Sequence, residues 1–430
     1  MIQKPRGTRD FLPEDMAKRR EIEEILRGTA QFFGYSEIST PAFENAELFI
    51  IKSGQEIVDQ LYSFKDKSDR ELALRPELTA PTMRLYLAEM KSAPQPVKVY
   101  YFGNAFRYER PQKGRFREFW QFGLELIGSD SVEAEAEVIT VAVKALMYAG
   151  LKNLELRIGH LGILKGIFKE AGLPETKQST LMKLLDKGET DDLYIELDSV
   201  DEFSAEQRDL VKNIINTKLK IADLDSYKAE FTGIKESASA WEKLIETTKI
   251  LNYFQVPQDS IIIDLNIARG LEYYDGIVFE IDVPELGAEK QVCGGGAYSL
   301  LELFGGKPAP TIGFAIGFDR LIMALEEQGR PFSSMKPSVF VIPVGKEALS
   351  KGIEIASDLR ATGIATDLEL KGRGPSKSLK FAANLGVKFA VIIGESELAE
   401  NNVTVKNMES GDQEKVKIQE LIEHFKKFKA

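Results

Sequence analysis

Arg107, Arg269 and Arg320 stand in three separate stretches of the chain, and each lies beside a segment of glycine or other small residues that reads as strand. A guanidinium is a planar fork of donors that matches phosphate oxygens, and small neighbours let a ligand approach the backbone closely. Singly, such an arginine is most often a surface ion-pair partner; three together point to a triphosphate site. Residues 101–128, YFGNAFRYERPQKGRFREFWQFGLELIG, hold the first of them together with Glu109, Gln121 and Glu125, polar groups able to read the edges of a flat ligand.

The element that must carry these groups is legible from alternation. Successive strand residues face opposite sides of a sheet, so Trp120, Phe122, Leu124 and Leu126 share one face and Phe119, Gln121, Gly123 and Glu125 the other. The preceding stretch repeats this, with Phe102, Phe106 and Tyr108 against Gly103, Ala105, Arg107 and Glu109, and a basic loop at 110–115 joins the two. An antiparallel hairpin is expected, with room over its small residues for a flat ligand. The plainer reading is a solvated outer face of a half-buried sheet; recurrence of arginine beside small residues elsewhere favours a site.

The 430 residues suffice for two or three domains, and 43% hydrophobic residues supply a large core. The lone Cys293 excludes an intramolecular disulfide and fits a reducing compartment, and two histidines, His160 and His424, exclude a histidine-rich metal site. The polar N-terminus, with no apolar run near the ~20 residues a membrane helix needs, implies a cytosolic protein without a membrane partner. A net charge of −11 argues against a nucleic-acid partner until its distribution is considered: residues 336–430 carry 15 Lys and Arg against 13 Asp and Glu. The acidic excess therefore lies before residue 336, and a basic run at 371–380 can face a partner locally.

Pro13 opens an amphipathic helix with Ile22, Ile25, Leu26, Ala30 and Phe33 at helical spacing, ended by Gly34. A strand is expected at 35–41, a short strand at 72–77 broken by Pro76, a helical pattern over 78–90, a helix over 132–149 and a strand at 154–158. From about 162 to 241 the texture turns helical, an insertion between strands that resume at 260–268 and 276–282. Residues 294–296, three glycines, suit tight turns or close backbone packing, and 309–317 forms a strand feeding a helix at 318–325 with Arg320 in its first turn. Antiparallel strands separated by helices make an α+β fold. Beyond a linker at 329–337, strands at 339–344, 365–370 and 389–394 alternate with helices at 349–362 and 376–385, a separate α/β domain.

No P-loop exists, since Gly306-Lys307 is followed by Pro308 and Gly345-Lys346 by Glu347, and the three glycines do not extend to a dinucleotide fingerprint. The stretch Phe106-Arg-Tyr-Glu109, with its loop and return strand, resembles the second signature of class II aminoacyl-tRNA synthetases, and residues 313–320 the third. Ala268-Arg-Gly-Leu-Glu-Tyr-Tyr274, Leu74-Arg-Pro-Glu-Leu-Thr79 and Pro5-Arg-Gly-Thr-Arg9 are together similar to the histidyl-tRNA synthetase family. The resemblance spans nearly the whole chain. It implies the class II antiparallel sheet flanked by helices, with a catalytic domain over 1–161 and 242–328, the helical insertion over 162–241, and an anticodon-binding α/β domain over 337–430.

By that resemblance Glu77, Thr79 and Gln121 hold the α-ammonium of L-histidine, while Glu125, Tyr273 and Tyr274 surround its imidazole. Adenine lies on Phe119 with Glu109 reading its amino group, Arg320 meets the γ-phosphate, and Arg107 and Arg269 flank the α-phosphate as the catalytic pair. ATP brings Mg²⁺ on its phosphates, with no dedicated protein metal site. The product is histidyl-adenylate, whose histidyl group passes to the 3′ end of tRNA(His), guided by Gln112, Lys113 and Arg115. A homodimer through residues 41–45 is also implied. The chain departs from the family where the glycine run continues with Ala297-Tyr298-Ser299, keeping only the tyrosine, and at Leu78 and Asp275. The rival reading is an inactive family paralogue that binds histidine as a regulatory subunit of histidine biosynthesis and usually lacks the C-terminal domain.

Overall fold

The computed structural model describes residues 2–110, 114–267, 274–333 and 336–427, with side chains throughout except at Gln55 and Glu56. Two compact units form, Met1–Phe332 and Ser333–Ala430. The first is built on a nine-stranded mixed sheet. Its middle is antiparallel: Val97–Phe106, Glu118–Ile127, Thr311–Gly317, Gln291–Tyr298, Tyr274–Asp282 and Glu155–His160 lie side by side in that order. Ser36–Glu37 pairs parallel at one end, and Ile261–Asp264 pairs parallel with Glu155–His160 near the other.

The expected hairpin is present, with Tyr101 opposite Gly123 and Val99 opposite Glu125. One face is core: Phe122 and Leu124 are fully buried, and the Phe102 and Trp120 rings stack at 5.5 Å. Three helices cover that face. Pro13–Phe32 begins at a proline whose missing N–H costs nothing there, and turns Ile22, Leu26 and Ala30 inward without exposure. Val132–Ala149 is capped by the Ser131 hydroxyl, which accepts from Ala134 N at 3.2 Å, and packs between the first helix and Lys235–Tyr253. Burial on both sides explains why this middle helix is apolar over most of its circumference.

Residues 162–241 hold the helices Gly162–Glu170, Glu175–Lys187, Thr190–Ser199 and Ala205–Asn216, and the two-residue strand Lys218–Leu219 joins them to the sheet edge. The helix Lys235–Tyr253 runs on past residue 241. A three-stranded sheet of Phe43–Asn45, Glu71–Leu74 and Tyr62–Lys65 lies apart from the large one. Of the strand expected at 35–41 only Ser36–Glu37 forms, ending ahead of Pro41, which cannot donate to a ladder. The second unit orders its sheet Thr366–Leu368, Val339–Pro343, Phe389–Ile393, Asn402–Asn407, Gln413–Lys417. The first two pairings are parallel and the last two antiparallel, so a C-terminal hairpin of polar alternation extends the expected α/β core.

Candidate active site

Phe119, Gln121 and Glu125 face away from the helical layer into a cavity of about 420 Å³. Glu77, Thr79, Arg107, Glu109, Arg115, Tyr274 and Arg320 line the same cavity, so every expected site residue that is described borders one space. Arg269, Tyr273, Gln112 and Lys113 lie outside the described residues.

The deep end is a carboxylate among phenols. Glu125 is 1% exposed; its Oε1 accepts from the Tyr101 hydroxyl at 3.1 Å and its Oε2 from the Tyr298 hydroxyl at 2.5 Å. Burial pushes its carboxyl up to about 7, against the hydroxyl donors and the Lys52 charge, which favour the ionised form. Tyr101 reaches this position by lying over Gly123, where a Cβ would overlap its ring, and Arg75 lies likewise over Gly103. The space over these two glycines is therefore filled by side chains, not left open for a flat ligand as their alternation suggests. Open space remains instead over Gly317, which also lines the cavity and where a Cβ would meet nothing closer than 3.8 Å.

Residues 294–296 sit inside a strand and form no turn. The physical reason is crowding between strands: a Cβ on Gly295 would overlap the Gly313 carbonyl, and one on Gly296 the Ile277 carbonyl side. Tyr274 opens the neighbouring strand opposite Tyr298, their rings meeting edge to face at 5.9 Å, while its carbonyl accepts from Lys165 at 3.1 Å.

Glu77 sits where strand Glu71–Leu74 gives way to helix Thr79–Leu85. Its Oε2 accepts from Thr79 N at 2.7 Å and its Oε1 from Ala80 N at 3.1 Å, the free N–H groups of a helix start. Burial raises its carboxyl, but Lys52 at 2.9 Å and those amides outweigh burial and hold it below the usual carboxylate range. Thr79 Oγ1 and the Tyr101 hydroxyl are 3.3 Å apart, which links the two carboxylates through one hydroxyl pair. Among the described residues Gln121 Oε1 is buried with no hydrogen-bond partner, an acceptor waiting for a donor.

The other end is cationic. Arg107 donates from Nε to the Pro76 carbonyl at 2.9 Å and places its guanidinium 5.3 Å from the Phe119 ring centroid, with Glu109 at 3.9 Å. Arg320 donates to the Gln291 carbonyl at 3.0 Å and to Glu289 at 2.6 Å, and Arg115 approaches the same Glu289 at 3.4 Å. Cys293 borders the cavity, but burial pushes its thiol well up, so it is no nucleophile. His160 is held down to about 3 by burial and accepts from Gly162 N, a neutral structural role.

Lys52, Tyr101, Tyr298 and Glu289 were not expected as site groups, apart from Tyr298 being noted in the glycine run. Tyr101 shows a local signal, since it occupies the same strand face as Arg107 through Gly103 and Ala105. Lys52, on helix Ala46–Ser53, and Glu289, on the segment Pro284–Glu289, show none.

A family model described as histidyl-tRNA synthetase matches residues 7–321, and one described as anticodon binding domain matches 338–428. The histidine–tRNA ligase of Methanocaldococcus jannaschii is 46% identical over 424 residues, covering 98% of this chain and 99% of its own length. That of Pyrococcus furiosus is 41% identical over 430 residues, covering 99% of each. Among solved structures, the apo histidyl-tRNA synthetase of Staphylococcus aureus aligns at TM-score 0.76 and 32% identity, covering 99% of this chain and 100% of its own. A Nostoc histidyl-tRNA synthetase aligns at TM-score 0.83 and 25% identity, covering 99% of both chains. Full-length similarity to ligases, with the anticodon domain included, sets aside the regulatory paralogue.

Proposed function

Because the chain belongs to the histidyl-tRNA synthetase family and is an aminoacyl-tRNA ligase, we propose that its cavity activates L-histidine with ATP and passes the histidyl group to the 3′ end of tRNA(His). The observation that carries this reading is the pairing, in one cavity, of a buried carboxylate flanked by two phenols with a cationic end bearing Arg107 and Arg320.

Histidine would enter with its imidazole toward Glu125, Tyr274 and Tyr273. A carboxylate and a phenol satisfy both ring nitrogens, and an amino acid without such donors would leave unmet the acceptor capacity of Glu125 beyond the two bonds from Tyr101 and Tyr298. The α-ammonium would meet Glu77, Thr79 and the orphan Gln121 Oε1. Adenine would stack on Phe119 with Glu109 at its amino group. The histidine carboxylate then attacks the α-phosphorus, a new oxygen–phosphorus bond forms, and pyrophosphate leaves with the electrons of the broken one. No protein nucleophile is needed; positioning and charge stabilisation by Arg107 and Arg269 carry the step. Arg320 would hold the γ-phosphate, displacing Glu289.

Mg²⁺ keeps several waters and binds through one or two carboxylates plus substrate phosphates. The ion would be carried by the ATP phosphates rather than by a dedicated protein site. Its contribution when bound is neutralisation of phosphate charge. We assign catalysis to residues 1–161 and 242–328, the insertion to 162–241, acceptor-end guidance to Gln112, Lys113 and Arg115, and anticodon reading to 337–430. Phe43 and Phe64, 51% and 42% exposed with rings 6.3 Å apart, offer an apolar patch for a second copy in a cytoplasmic homodimer.

Charging of tRNA with labelled histidine tests the reading. Arg269→Ala should slow histidine-dependent pyrophosphate exchange by on the order of 10², as for loss of a preorganised donor; an unchanged rate contradicts it.

A further inference from the structure

The N-terminal stretch Pro5-Arg-Gly-Thr-Arg9 has no role in the chemistry above, yet it is tied to the cavity wall at two points. The Gly7 carbonyl accepts from Arg117 N at 2.9 Å, and Arg117 in turn accepts from Arg107 N at 3.0 Å, so the segment braces the return end of the basic loop. Arg9 lies with its guanidinium carbon 3.4 Å from the Phe116 ring centroid and one Nη 2.6 Å from Asp319. Arg19, on the helix Pro13–Phe32, donates to the same Asp319 oxygen at 2.7 Å. The second Asp319 oxygen accepts from Trp120 N at 2.9 Å.

Asp319 is 4% exposed and immediately precedes Arg320 in the first helical turn. Among the described residues, Arg9 and Arg19 share one buried carboxylate, and Arg9 Nε and Arg19 Nη2 are buried without hydrogen-bond partners. Such an arrangement is expensive for stability alone. Its geometric effect is to lock three pieces together: loop end, central strand and the helix start that bears Arg320.

We propose that Arg9 is a positioning residue for ATP: by clasping Phe116 and Asp319 it fixes Arg320 relative to the loop that carries Arg107 and Arg115. This rests on the reading of Arg320 as a triphosphate-binding group. Arg9 itself touches no substrate.

The test is a double-mutant cycle in histidine-dependent ATP–pyrophosphate exchange, using the full chain with Arg9→Ala, Arg320→Ala and both. Arg320→Ala should raise KM for ATP, and Arg9→Ala should raise it by about tenfold with KM for histidine unchanged. In the double variant Arg9→Ala should add almost nothing, because its effect passes through Arg320. Equal changes in both KM values, or full additivity in the double variant, overturn the proposal while leaving the triphosphate reading intact. An unchanged KM for ATP in Arg320→Ala overturns that reading instead. Should Arg9→Ala fail to fold, Arg9→Lys carries the same cycle, since lysine keeps the charge and loses the planar stack on Phe116.

Discussion

Tyr298 and Glu125 meet across a strand that separates them: their hydroxyl and carboxylate lie 2.5 Å apart although Thr311–Gly317 runs between their own strands. The contact is possible because Gly313, opposite Glu125 on that middle strand, has no side chain; a Cβ there would overlap Glu125 Oε2. Gly313→Ala should therefore strike twice. Overpacking beside a carbonyl and a carboxylate destabilises by about 1–3 kcal/mol, and KM for histidine should rise while KM for ATP does not. Denaturant unfolding and steady-state exchange measure the two effects separately.

Tyr298→Phe keeps the ring and removes the donor. One oxygen of a buried carboxylate is then unpaired, a loss of ~1–3 kcal/mol, and the Glu125 carboxyl moves further up. Exchange kinetics should show KM for histidine raised roughly tenfold. An unaltered value would mean that the phenol does not hold Glu125 for the substrate.

Burial holds the Glu125 carboxyl at about 7 against an ordinary 4.5. A group raised on folding lends stability below its unfolded value and loses it as pH rises through the folded one. Between those limits the ligand-free protein should lose roughly 3 kcal/mol from this residue. Glu125→Gln does not titrate, so its Tm relative to the unaltered chain should climb from about pH 5 to about pH 8. A constant difference across that range contradicts the buried, ionisable state.

Glu289 engages both Arg320 and Arg115 at the cationic end. ATP must displace it from Arg320. Because the pair is partly solvated its strength is modest, and Glu289→Gln should lower KM for ATP by about threefold. A raised KM would show instead that the carboxylate helps hold the nucleotide.

Hairpin, helices and cavity face were legible where the sequence carries a period. Gln121 and Glu125 against Phe122 and Leu124 alternate at period two, which suffices to separate site from core. Tyr108 misled: it follows the alternation, but the strand ends at Phe106 and the ring lies 54% exposed against Arg117 and Tyr62. Residues 294–296 left tight turn and close backbone packing both open, since glycine allows either locally; the structure shows the second, close approach between neighbouring strands. Lys52 and Arg75 act through tertiary contacts alone, Lys52 on Glu77 and Arg75 on the Thr40 and Asn104 carbonyls, and no spacing in the chain foretells those partners.

The central claim is that Glu125 selects histidine for activation in this cavity. Amino-acid-dependent ATP–pyrophosphate exchange, run with each of the common amino acids on the unaltered chain and on Glu125→Gln, tests it most directly. The account predicts exchange with histidine alone and its loss in Glu125→Gln, with ATP binding retained. Exchange supported by another amino acid, or undiminished histidine exchange in that variant, would contradict it.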